Sequence, residues 1–182
     1  MIGFPLGLLA ANAGEWWVHK HILHGVGKTK GSFWSFHWRE HHAHSRKLGF
    51  RDPDYERSPL GWHAQGKEVY ALLGVSAACT VVAPVAPWFC MGVWTHALGY
   101  YLVHRKSHLD PEWARKHLPW HYDHHMGPNQ DANWCVTYPL WDYLMNTREP
   151  YLGTERELRD RERASRRSAG TVPSRVFRAV RA

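Results

Sequence analysis

The chain has 182 residues, enough for one domain with a substantial hydrophobic core. Its formal net charge is +7, 44% of its residues are hydrophobic, and its eleven tryptophans are many for this length. Three cysteines, an odd number without CxxC spacing, argue against a disulfide framework and against a thiolate metal site.

Three apolar segments are predicted along the chain, at residues 2–18, 69–83 and 88–103. The first is slightly short for a membrane span, which needs about 20 residues, and the other two form a helical hairpin around Pro84 and Pro87. The mean hydropathy is negative, but the apolar residues are concentrated in these segments. We therefore predict an all-α protein with about three to four membrane-spanning helices.

The basic residues would orient these spans. None of the 23 lysines and arginines lies within residues 1–19 or 68–104, so all lie within residues 20–67 or 105–182. The positive-inside rule puts both basic regions in the cytoplasm, together with every histidine cluster. The sequence thus predicts an integral membrane protein with a cytosolic, helical, histidine-lined cap and a metal site on the cytoplasmic side. A soluble helical protein with a buried hairpin is the alternative.

The remaining regions are predicted to be polar or interfacial. Residues 33–46 have a helical pattern, and the aromatic segment 134–145 suits a membrane interface, where Trp and Tyr are common. Residues 1–153 would form the membrane domain with the metal site, and residues 154–182 a basic, flexible tail in which residues 155–167 have the pattern of a solvated helix. Attraction to anionic lipid headgroups explains this tail better than nucleic-acid binding does, so no nucleic-acid partner is expected.

Histidine is the most informative residue type in the chain. Ten of the fifteen histidines fall into four clusters with the spacings HxxxxH, HxxxHH, HxxxH and HxxHH. Residues three or four apart lie on one face of an α-helix, so most clusters can present their imidazoles together. Neutral imidazole is the commonest metal ligand, and one ion takes about three to six ligands, so ten histidines indicate more than one ion. The predicted ligands are His19, His24, His37, His41, His42, His104, His108, His121, His124 and His125.

The first cluster is the least regular, because His19 and His24 are five residues apart. A helix end or a local bulge would have to bring them together, and His21 is the alternative to His19. Nearby polar side chains are predicted to accept hydrogen bonds from imidazole N–H groups, although direct coordination by one carboxylate stays open. These acceptor candidates are Glu15, Glu40, Asp123, Asn133, Asp131 and Asp142.

Several residues near the clusters are candidates for the walls of a substrate channel. His96 lies eight residues before His104, which is about 12 Å deeper along a helix. Packing or interfacial anchoring is the more ordinary role for the aromatic residues, and a hydrogen-bonded core position is the more ordinary role for His96. The candidates are Trp16, Trp17, Trp94, His96, Tyr100 and Tyr101.

In this order, the four clusters resemble the histidine boxes of the fatty acid hydroxylase / sterol desaturase superfamily, a group of integral-membrane di-iron oxygenases. The segment Asn133–Leu144, NWCVTYPLWDYL, is similar to the N-x-G-V-T-x-P-x-W-D-x-L-F-G-T stretch that follows the family's final box. Cys135 stands at the usual glycine, and Met145-Asn146-Thr147 replaces Phe-Gly-Thr. The resemblance covers about residues 10–150.

The resemblance implies two iron ions held by the ten histidines, box by box. It implies O2-dependent hydroxylation of the alkyl chain of a membrane lipid, such as a fatty acid, a sterol or a related lipid. No cytochrome b5-like motif is fused here, so electrons would come from a separate ferredoxin or cytochrome-type protein. Family members commonly have four spans and we count three, so a neighbouring copy in a homo-oligomer could supply the missing packing.

Other functions stay open at this point. Within the superfamily, the alternatives are a lipid desaturase and a carotenoid hydroxylase. Outside it, the alternatives are a dizinc membrane hydrolase and a non-catalytic metal-binding protein. Imidazole suits zinc and copper as well as iron, and zinc can replace iron, so the sequence does not fix the metal.

Overall fold

In a computed structural model, which describes residues 2–170, the chain is helical and this range contains no β-strand. Two π-helices, Val18–Gly25 and His37–His41, and two short 3-10 helices, Val26–Lys28 and Pro53–Glu56, interrupt the α-helical pattern. The prediction of an all-α chain is confirmed for these residues. The α-helices of the described range are α1 (Gly3–Trp17), α2 (His42–Lys47), α3 (Ala64–Thr80), α4 (Pro87–Leu109), α5 (Pro111–His117), α6 (Pro119–Met126), α7 (Leu140–Leu144) and α8 (Glu155–Gly170).

The predicted membrane spans are absent from residues 2–170, where no helix has both the length and the apolar character needed to cross a bilayer. α1 and α3, with 15 and 17 residues, reach only about 22 and 26 Å, less than a hydrocarbon core of about 30 Å. α4 is long enough, but its last turns carry His104, Arg105 and Lys106. The expectations of three to four spans, of an integral membrane location and of a cytoplasmic-side metal site are therefore wrong.

α1 and α4 run side by side in the same direction, and their backbones touch because two glycines meet where they cross. A Cβ atom on Gly7 would overlap the carbonyl oxygen of Phe89, and one on Gly92 would overlap that of Phe4. α3 packs against α4 at Cys79, whose Sγ lies 2.9 Å from that of Cys90. A cavity remains between these three helices.

Prolines begin the helices that carry the later histidines. Pro87, Pro111 and Pro119 occupy the first turns of α4, α5 and α6, where the missing N–H costs no hydrogen bond. Asp110 caps α5 by accepting from the backbone N–H of Trp113, at 3.1 Å. These breaks turn the chain sharply, so α6 brings its histidines back against α4.

Part of the predicted tail is ordered helix. α8 follows Tyr151, and its Glu157 is buried and accepts a hydrogen bond from Arg115 at 3.0 Å. Residues 171–182, the rest of that tail, lie outside the described residues.

Candidate metal centre

The ten predicted ligands come together in the interior as two adjacent groups. The first histidine group consists of His19, His24, His37, His42 and His124. The second histidine group consists of His41, His104, His108 and His125. Within each group, one ring nitrogen of every member lies within 4.8 Å of those of the others. His121, the tenth histidine, adjoins the second group with its Nε2 3.0 Å from that of His108.

The first group owes its shape to π-helical backbone. A π-helix forms i→i+5 hydrogen bonds, so residues five apart lie on one face, and such turns are frequent at functional sites. His19 and His24 lie in the π-helix Val18–Gly25. His37 and His42 repeat this step at the second π-helix and the start of α2. The five-residue spacing that looked irregular thus matches the backbone that contains it.

The structure also separates the two rivals in the first cluster. His19 is 2% exposed and belongs to the first histidine group. His21 is exposed, and its ring packs beside Trp17 with the centroids 5.4 Å apart. His19 is therefore the member of this pair that can bind an interior metal ion.

His41 and His42 are neighbours in sequence but belong to different groups. Consecutive residues of a helix point about 100° apart, because a turn contains about 3.6 residues. One turn of chain thus supplies a ligand candidate to each of the two groups.

Six of the ten imidazoles are held at Nδ1 by an acceptor elsewhere in the protein. A proton on Nδ1 fixes the tautomer and leaves the lone pair on Nε2 free for a metal. The six pairs are His19 with Trp134 O (2.5 Å), His24 with Asp131 (3.2 Å), His41 with Asp52 (2.8 Å), His104 with Glu68 (2.7 Å), His108 with Phe50 O (2.8 Å) and His124 with Ala132 O (2.7 Å).

The Nε2 atoms of the first group are too crowded to satisfy one another. His42 Nε2 lies 3.1 Å from that of His24, 3.1 Å from that of His124 and 3.2 Å from that of His37, which is 3.0 Å from that of His19. His19, His24 and His124 carry their proton on Nδ1, so only His37 and His42 can carry a proton on Nε2. At most two protons are therefore available for the four Nε2–Nε2 contacts. In at least two of these contacts the lone pairs of two nitrogens face each other, and a cation between them would stabilise the arrangement.

The second group also has imidazole nitrogens that no hydrogen bond satisfies. The Nε2 atoms of His41, His104 and His125 are buried and have no hydrogen-bond partner within the described residues. Buried polar atoms are nearly always paired, so three unpaired Nε2 atoms in one group indicate that the group binds a ligand. The donor sets of both groups thus fit metal ions that accept nitrogen ligands, such as iron, zinc or copper.

Burial favours the neutral form of His41, His124 and His125. It lowers the pKa of His124 to about 3, and burial together with neighbouring imidazoles lowers the pKa values of His41 and His125 well below the usual range. A neutral imidazole has a lone pair to donate, so a metal ion would not have to displace a proton near pH 7.

The segment Asn133–Leu144 has a structural role in the first group. Asp142 accepts hydrogen bonds from the backbone N–H groups of Trp134 and Cys135, both at 2.8 Å. This fixes the Trp134 carbonyl that orients His19. Asn146, which stands where the resemblance places a glycine, has φ = 53°, a left-handed conformation that glycine favours and asparagine tolerates.

Of the six acceptor candidates, Asp131 alone accepts a hydrogen bond from a predicted ligand within residues 2–170, through His24. Among the others, Glu15 accepts from the backbone N–H groups of Val136 and Thr137, and Glu40 from Lys67. Asp123 and Asn133 both accept from Arg148.

Sequence reasoning missed two buried carboxylates that do orient ligands. Asp52 accepts a hydrogen bond from Nδ1 of His41. Glu68 pairs with Nδ1 of His104, and the hydroxyl of Tyr55 donates to Glu68 and also lies beside that nitrogen. No spacing in the sequence could have identified Asp52, because only the fold brings it to His41. The sequence contains a weak indication of Glu68, since it is the lone carboxylate at the start of an apolar segment.

A cavity of about 450 Å³ adjoins the first group, bounded by α1, α3, α4 and the two π-helices. His19 and His37 lie in its wall, which is otherwise mainly apolar. Among the predicted channel residues, His96 and Tyr100 line it, whereas Trp16, Trp17, Trp94 and Tyr101 do not.

No protein-family model, curated protein or solved structure matches this chain. Membership of the hydroxylase superfamily therefore stays a prediction from the histidine boxes, and the function is argued from the site.

Proposed function

We propose that this protein is a di-iron oxidoreductase that hydroxylates the alkyl chain of a lipid in an O2-dependent reaction. One observation carries the proposal: His19 and His37 belong to the first histidine group and also line the apolar cavity. A hydrocarbon chain in that cavity would lie directly against the ligands of a metal ion. The two histidine groups would each hold one iron.

The balanced reaction is O2 + RH + 2e⁻ + 2H⁺ → ROH + H2O, with the electrons from a separate ferredoxin or cytochrome-type protein. Bound iron would supply the redox chemistry that activates O2 for attack on an unactivated C–H bond. The protein's own residues bind the chain by apolar contact and keep water away from the reacting carbon. The Nδ1 acceptors keep the imidazoles in place through the reaction.

The test compares the wild-type protein with His124→Ala, and uses His117→Ala as the matched control. His117 is exposed on α5, and its Nδ1 contacts only Trp113 O, at 3.0 Å, so its loss leaves both groups intact. Each protein is prepared with ferrous iron, reduced chemically and exposed to 18O2 with a lipid extract. Metal content and the masses of the lipids are then measured.

We expect about two irons per chain and one 18O atom in a lipid product for the wild type and for His117→Ala, and neither for His124→Ala. Loss of two hydrogens without label would indicate desaturation instead. Tightly held zinc with hydrolysed lipid would indicate a dizinc hydrolase. An iron-loaded protein that oxidises no lipid would contradict the proposal.

A further inference from the structure

Glu15 and His96 form a polar pair in the wall of the otherwise apolar cavity. The carboxylate Oε2 of Glu15 lies 3.1 Å from Nε2 of His96, across the contact between α1 and α4. Both residues line the cavity. A polar pair in such a wall is costly unless each of its groups is hydrogen-bonded, because each group loses contact with water.

Glu15 is an ionised carboxylate with all its acceptor capacity in use. It accepts from the backbone N–H groups of Val136 and Thr137, and from the hydroxyl of Thr137 at 2.6 Å. Burial acts to raise the pKa of Glu15, but these hydrogen bonds and His96 outweigh it and lower that pKa below its usual value. Glu15 therefore has no free oxygen for a ligand, and it fixes which nitrogen of His96 carries a proton.

His96 has one nitrogen left over. Its Nε2 faces Glu15 and Thr137, both at 3.1 Å, so Nε2 carries the proton donated to the carboxylate. Its Nδ1 has no hydrogen-bond partner among residues 2–170. The ring thus offers a single unused nitrogen from the wall of the cavity, on the same face of α4 as Tyr100, one turn further along.

We propose that His96, held by Glu15, binds the hydroxyl group of the substrate, so that the substrate is a neutral long-chain alcohol rather than a hydrocarbon or a fatty-acid anion. This rests on the proposed function for the identity of the cavity as the substrate site. A hydroxyl group suits Nδ1 in either state of the ring, because it can donate to a neutral imidazole and accept from a charged one.

Charge argues against a carboxylate head group at this position. Two acidic side chains, those of Glu15 and Glu68, line the same cavity with exposures of only 4% and 10%, and no lysine or arginine lines it. Like charges repel strongly where water is excluded. A fatty-acid anion would therefore meet repulsion that a neutral alcohol avoids.

The position of the pair sets the distance between the hydroxyl group and the reacting carbon. Glu15 precedes the ligand candidate His19 by one turn of helix, and His96 precedes His104 by about two turns. At 1.5 Å per residue, these steps are about 6 and 12 Å. The distance of about 6 Å from Glu15 to His19 is the one that concerns the first group. The carbon that reaches the first group would thus lie several bonds from the hydroxyl group.

The test measures binding alone, with oxygen and reductant absent. The probes are 1-decanol, n-undecane, which has the same number of heavy atoms, and decanoate. Dissociation constants are measured on the full chain by calorimetry for the wild type, His96→Phe and His96→Gln. Phenylalanine keeps the bulk of the ring without a hydrogen-bonding nitrogen, and glutamine restores an acceptor.

We expect His96→Phe to weaken 1-decanol about tenfold and to leave n-undecane within about twofold, since one hydrogen bond is lost. His96→Gln should recover most of the loss, and decanoate should bind the wild type more weakly than 1-decanol. Equal changes for 1-decanol and n-undecane, or no change, would overturn the proposal, as would decanoate binding as tightly as 1-decanol. Circular dichroism and metal content confirm that each variant is folded.

The two proposals fail separately. A chain that binds 1-decanol through His96 but incorporates no 18O would overturn the hydroxylase function alone. A chain that hydroxylates lipid but shows no dependence of alcohol binding on His96 would overturn this inference alone.

Discussion

The first histidine group borders the cavity, and two of its three Nδ1 acceptors are backbone carbonyls. The second group does not line the cavity, and two of its three Nδ1 acceptors are buried carboxylates. The acceptors of the first group are the carbonyls of Trp134 and Ala132 and the side chain of Asp131, which is 54% exposed. Those of the second include Asp52 and Glu68, both buried. Under the proposed function, the first group would lie against the substrate and the second would hold its ion away from the substrate.

Removing a central ligand from each group gives the largest expected effect. His42 Nε2 contacts three other Nε2 atoms of the first group, and His104 belongs to the second. We expect His42→Ala and His104→Ala each to reduce bound iron from about two ions per chain to about one. Elemental analysis after anaerobic loading measures this, with His117→Ala as the unchanged control. Loss of both ions from either variant would mean that neither group can hold an ion on its own.

Metal binding should also stabilise the fold. An ion at 100 times its dissociation constant adds about 2.7 kcal/mol per site to the free energy of unfolding, because it binds the folded chain only. Thermal unfolding with and without ferrous iron should therefore show a rise in Tm that is about half as large in His42→Ala as in the wild type. No rise in the wild type would argue against both sites.

The acceptors should differ in importance between the groups. Asp52 is fully buried and holds His41, so Asp52→Asn should weaken the second site about tenfold. Asp131→Asn should weaken the first site by less than about threefold, since water can replace a half-exposed acceptor at His24. Competition with a chelator of known affinity measures both. Equal effects would remove the contrast between the two groups.

A similarly small effect is expected from a change in the loop that orients His19. Glu15→Gln keeps the shape of the side chain but loses the charge that strengthens its hydrogen bonds to Val136 and Thr137. We expect a loss of about threefold in iron affinity at the first site and none at the second. A loss at the second site would show that Glu15 acts through the whole fold.

The candidate ligands could be predicted from the sequence because helix periodicity relates spacing directly to direction. Their division into two groups could not, because it splits His41 from His42 and joins residues far apart in the chain. The orienting carboxylates Asp52 and Glu68 were missed for the same reason. Tertiary contacts decide which acceptor meets which imidazole, and no local pattern records them.

The membrane prediction failed because a run of apolar residues is not yet a long apolar helix. The absence of lysine and arginine from residues 68–104 suggested two spans, but α3 has only 17 residues. α4 has 23 residues, but it contains His96 and ends with His104, Arg105 and Lys106, so it is not apolar over the length that a span needs. The helical hairpin itself was predicted correctly from the same residues.

The peptide bond between His41 and His42 connects the two histidine groups through a single turn of the chain. Any rotation of that turn would tilt both imidazoles at once, one toward each group. Filling one site would therefore pre-align a ligand of the other, so the second ion should enter more readily than the first. We therefore expect the binding of the two metal ions to be cooperative.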